Sequence, residues 1–124
     1  MTQPLAILLY DRLLPGSQLI NKLQDLGYRV TTAEGPGTLV ETCLREKPLL
    51  LFADVGDRGQ AICSALKQLR ENPETSHIPV IATIPARSPE SEAVAREAGA
   101  KVVVHDTVIL AHLEQFIEAA LQID

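Results

Sequence analysis

The stretch KPLLLFADVGDRG, Lys47 to Gly59, decides the fold. Leu49 to Ala53 form an unbroken apolar run into Asp54, after which glycine and charge take over. A strand with one wet face would alternate apolar and polar residues. An uninterrupted run of this length is what a strand covered by helices on both faces requires. A carboxylate at the end of such a strand is costly unless it has partners, so the rest of the chain must be read for what surrounds Asp54.

Four more runs of the same kind recur: LAILLY (5–10), YRVTT (28–32), PVIATI (79–84) and KVVVH (101–105), with LLLFA (49–53) in third place. Helical spacing separates them. Leu19, Ile20, Leu23 and Leu26 fit one face, as do Leu39, Val40, Cys43 and Leu44, then Ile62, Ala65, Leu66 and Leu69. Ala93, Val94, Glu97 and Ala98 fit a face less clearly, and Ile109, Leu113, Phe116, Ile117 and Ala120 complete the set. Gly27 and Gly99 are placed just past the first and fourth helices, and Ser88-Pro89-Glu90 reads as a cap, a first-turn proline and an acid at the positive end of a helix dipole. Gly35-Pro36-Gly37 lacks the third glycine of a dinucleotide loop and reads as a turn.

Strict strand-helix alternation five times over predicts an α/β fold: a five-stranded parallel sheet, doubly wound, in a (βα)5 three-layer sandwich of the flavodoxin type. At 124 residues, one domain over 1–124 is expected. In such a sheet chemistry sits beyond the carboxyl ends of the strands. That rule collects Tyr10, Asp11 and Arg12, then Asp54 to Arg58, Ile84 to Arg87, and His105 to Thr107.

Composition removes several function classes. A net charge of −5 and only two Tyr and two Phe leave neither excess cations for phosphates nor a base-stacking platform, so direct nucleic-acid binding is not expected. The first apolar run is too short for a signal sequence, and no segment approaches the roughly 18 apolar residues of a membrane span, so a cytoplasmic protein is expected. Cys43 and Cys63 have no ligand or redox spacing and read as buried reduced thiols. His77, His105 and His112 have no partners at metal-ligand spacing, and no Ser/His/Asp or Cys/His pairing falls on the carboxyl-end loops.

Over essentially its whole length the chain resembles a response-regulator receiver domain of the CheY-like type, in a degenerate form. KPLLLFAD resembles the strand that leads to the phosphoacceptor; LKQLRENPETSHIPVIA (66–82) resembles the passage from the third helix to the fourth strand; AREAGA (95–100) resembles the end of the fourth helix. The resemblance implies two-component signalling with Asp54 as phosphoacceptor candidate. It also implies Mg2+ held by Asp11, Asp54 and the backbone carbonyl of Gly56. Elsewhere the family positions have changed. Tyr10 stands where the first acid belongs, Ile84 where a hydroxyl belongs, Pro85 where a small residue belongs, Val103 where an aromatic switch belongs, and Asp106-Thr107 where Lys-Pro belongs.

Those changes matter in size. A carboxylate in place of an ammonium at about 4 Å from a phosphoryl group removes one attraction and adds one repulsion, each of order 4 kcal/mol at an effective dielectric near 20. Losing the hydroxyl at the Ile84 position forfeits roughly 1.5–3 kcal/mol of hydrogen bonding to a charged group. The expectation is an atypical receiver that acts mainly as a protein-protein interaction module, with a histidine kinase or an output protein as partner, as a monomer or homodimer. The alternatives are a receiver phosphorylated on Asp54 and a flavodoxin-like small-ligand binder. Asp106 with Asp11 and Asp54 is a further candidate cation set, and Arg12 and Arg58 are candidate replacements for the lost positive charge.

Overall fold

The computed structural model describes residues 4–9, 13–33, 35–54, 59–84, 89–105, 108–109 and 111–121. Five strands, β1 (Leu5–Leu9), β2 (Arg29–Thr32), β3 (Leu50–Asp54), β4 (Val80–Ile84) and β5 (Val102–His105), form one sheet in the order β2-β1-β3-β4-β5. All four pairings are parallel. Helices α1 (Leu13–Asp25), α2 (Leu39–Glu46), α3 (Gly59–Glu71), α4 (Pro89–Ala98) and α5 (Leu113–Leu121) alternate with the strands, which gives the doubly wound (βα)5 fold expected. A short 3₁₀ turn, Pro36–Thr38, stands where the Gly-Pro-Gly stretch predicts a turn.

The period-two geometry of the strands divides the core. Ile7, Leu9, Leu51, Ala53, Val80, Ala82 and Ile84 pack with α2, α3 and α4. Ala6, Leu8, Leu50, Phe52, Ile81 and Val104 pack with α1 and α5. Every residue of β1, β3 and β4 is buried, whereas the edge strand β2 is exposed at both Arg29 and Thr32.

Helix ends follow from local chemistry. Gly27 (φ 94°) and Gly99 (φ 116°) take left-handed backbone just beyond α1 and α4, where a side chain would be strained. Between α3 and β4 the Thr75 hydroxyl, itself buried, donates to the Leu69 carbonyl at 2.7 Å, and the Glu74 N–H donates to Asn72 Oδ1 at 3.0 Å. These bonds occupy polar groups of a passage that carries no regular structure.

Two expectations needed correction. The buried face of α4 is Ala95 and Ala98, while Ala93, Val94 and Glu97 are exposed. Alanine is too weakly apolar for its spacing to outweigh Val94 in a sequence pattern, yet only small residues let this helix lie close to α3 and the sheet. The last helix begins at Leu113, and Ile109 is fully buried from a turn ahead of it. Cys43 and Cys63 are free and buried in the core, as expected. Burial pushes the Cys43 thiol up to about 11 and raises that of Cys63, against a smaller lowering by Lys67. Both are protonated at neutral pH.

Candidate functional site

Asp54 is the last residue of β3, and the register sets it beside Thr83 of β4. Both residues have the parity of Phe52 and Ile81, so both side chains stand on the α1/α5 side of the sheet. The Thr83 hydroxyl donates to Asp54 Oδ1 at 3.2 Å. Thr83 is fully buried and Asp54 is only 5% exposed. A carboxylate held this deep requires partners, and among the described residues no buried side-chain oxygen or nitrogen lacks one.

Ile84 has the opposite parity. It is 2% exposed and belongs to the cluster under α2, α3 and α4, turned away from the face that carries Asp54 and Thr83. Val103 packs against the same cluster from β5. The hydroxyl next to Asp54 therefore comes from the residue before the position where a linear comparison seeks it. Sequence reasoning missed Thr83. The signal that finds it is the pairing of Asp54 with Thr83, a property of two strands together and of neither alone.

Asp54 is the one described member of the metal set that the resemblance implies. It offers the hard oxygen that Mg2+ prefers, with one carboxylate oxygen already accepting from Thr83. Tyr10, Asp11, Arg12, Gly56, Arg58, Pro85, Ser88, Asp106 and Thr107 lie outside the described residues. Among the described residues no three His, Cys, Asp or Glu side chains come together as a metal cluster. No described helix is long and apolar enough to cross a membrane.

Comparison with known proteins places this geometry. No family model matches the sequence, and no curated protein sequence matches it. Solved structures do. A candidate response regulator from Chloroflexus aurantiacus superposes with TM-score 0.88 at 19% identity, covering 97% of this chain and 98% of that one. The chemotaxis protein CheY4 of Vibrio cholerae gives 0.84 at 18% identity over 97% of this chain and 100% of its own. The signal receiver domain of a modulated diguanylate cyclase from Desulfovibrio desulfuricans gives 0.80 at 19% identity over 97% and 94%. At these identities the likeness establishes the fold: the chain has the (βα)5 architecture of CheY-like receiver domains.

Proposed function

We propose that this chain is a single receiver-type signalling domain, cytoplasmic and not an enzyme, that works mainly by docking a partner protein, with Asp54 phosphorylated weakly or not at all. One observation carries the reading. Asp54 ends the third strand, where the resemblance to receivers puts a phosphoacceptor, and there it is almost fully buried with one of its oxygens engaged by Thr83. An attacking carboxylate must present a lone pair to the phosphorus with counter-charge around the transferring group. Burial and the Thr83 bond both hinder that. Tyr10, Val103 and Asp106, each standing where the resemblance expects another residue, support the same reading from the sequence. Partners of this class are a histidine kinase or an output protein.

The test is to incubate the protein with Mg2+ and either beryllofluoride or a small phosphodonor, and to follow it by intact mass and NMR. The expected result is no stoichiometric adduct and no shifts spreading from Asp54 to α4. A stoichiometric adduct lost in Asp54→Asn would overturn it.

The Thr83 hydroxyl favours a second reading, phosphoryl acceptance on Asp54 from a histidine kinase. A donor already within hydrogen-bond distance of the carboxylate can turn to a phosphoryl oxygen. On that reading Mg2+ binds at millimolar concentration, Asp11→Ala abolishes it, and Thr83→Val shortens the lifetime of the adduct.

A further inference from the structure

The helices are not seated equally well. Among the described side chains α1 buries Leu23, α2 Leu39, α3 Leu66 and α5 Ile117, whereas those that α4 buries are Ala95 and Ala98. A single methyl group withdraws far less apolar surface from water than a branched four-carbon chain, so α4 has the least to lose on leaving the sheet. The packing beside it is open as well. A hollow of about 340 Å3 lies between α3 and the end of α4, with Leu66, Leu69 and Arg70 on one side and Arg96 and Gly99 on the other.

Two side chains of α3 reach across to the backbone of α4. Cys63 Sγ donates to the Val94 carbonyl at 4.0 Å, a weak bond from a weak donor. At the end of the helix the Arg70 guanidinium donates to the Glu97 carbonyl at 3.3 Å, where the last turn leaves carbonyls without intrahelical partners and the dipole favours a cation. Gly99 gives Arg70 its path, since a Cβ there would stand 3.3 Å from Arg70 Cδ. The pair of Arg96 with Glu92 joins two residues of α4 itself, so it supports the helix without tying it to its neighbours. A helix supported from within and held lightly from outside moves as a unit.

We infer that α4 opens from the sheet as one unit while the other layers stay folded, that Arg70 latches the closed form, and that opening uncovers the Cys63 thiol. Closed, Cys63 is only 5% exposed, with its sulfur against the α4 backbone; Cys43 is buried from α2 and does not depend on α4. The two thiols therefore report on different seams. Ala95, Ala98 and Cys63 belong to the layer of α2, α3 and α4, on the opposite face of the sheet from Asp54 and Thr83. The opening needs no phosphate, so it is separate from the phosphorylation reading and holds or fails by itself.

The probe is excess iodoacetamide on the natural chain in native buffer, with each thiol followed by peptide mass and its rate divided by that of the same thiol in the urea-unfolded chain. We expect Cys63 to be alkylated at least about tenfold faster than Cys43, with a weaker urea dependence than global unfolding, and α4 amides to exchange faster than those of β3. Arg70→Ala should speed Cys63 alone, by about two- to fivefold, as the loss of a cation at a helix end implies, and Arg70→Lys should restore part of the slow rate. The natural chain decides the opening even where a variant folds poorly. Equal rates for the two thiols, α4 amides as protected as those of β3, or a Cys63 rate that follows global unfolding would each overturn it. An unchanged Cys63 rate in Arg70→Ala would overturn the latch, and a Cys63 rate altered by Asp54→Asn would overturn the separation from Asp54.

Discussion

At the carboxyl end of the sheet, Asp54 is buried against a hydroxyl; at the amino end, Arg29, Lys47 and Lys101 stand exposed beside an exposed leucine. The same five strands run between them, so strand pairing does not explain the difference. Enclosure does. A buried carboxylate interacts strongly with a few fixed neighbours, while exposed cations interact weakly with many possible ones. The first arrangement fixes one geometry, and the second does not.

The comparison breaks most severely if the sheet itself fails. Phe52, fully buried between Leu49 and Asp54 in the chain, is expected to cost about 3–5 kcal/mol when changed to alanine, with a lowered urea midpoint and loss of order at both ends. Loss at one end alone would show that the two ends are not held by a common core.

Thr83→Val tests the carboxyl end specifically. Removing the donor to Asp54 should cost roughly 1.5–3 kcal/mol, and the cost should shrink when Asp54 is also changed to alanine, as a double-mutant cycle in urea would reveal. Additive effects would mean that the 3.2 Å bond contributes nothing to stability.

Alkali gives a milder test of the core that joins the ends. Folding raises the Cys43 pKa from 9.0 to about 11, so the protonated thiol is favoured in the folded state. Its stabilising share is complete below pH 9 and is lost as pH rises toward 11, because the unfolded chain then binds fewer protons. Stability curves across that window should fall less steeply for Cys43→Ala than for the natural chain. The smallest effect belongs to the amino end: Lys47→Gly should raise stability by about 0.5–1 kcal/mol in a thermal melt, since glycine accepts left-handed backbone freely.

The layers of the molecule were readable from periodicity because burial on both faces leaves strands few polar positions. That logic placed β1, β3 and β4 and the faces of α1 and α3. It failed at α4, where alanines form the contact, and at Ile109, whose burial comes from a turn. At the site, the position of Asp54 was legible because a charge ends an apolar run. Thr83 was not, since a linear comparison counts residues from the start of β4, whereas contact with Asp54 depends on how two strands are aligned. The basic side chains of the amino end were equally hidden as a group. Arg29, Lys47 and Lys101 are far apart in sequence, and nothing but the sheet order gathers them.

The strand order also bears on how the chain survives while folding. The two outer strands, β2 and β5, each pair with one neighbouring strand among the described residues and so form the margins of the sheet. At β2 the exposed Arg29 and Thr32 discourage a second chain from adding on. At β5 the margin is Val102, Val103 and Val104 in succession, the composition that seeds intermolecular pairing when a margin is bared. Lys101, exposed directly before these valines, puts at that margin a charge of the kind that discourages such pairing, so changing it to an apolar residue is expected to lower the yield of refolding.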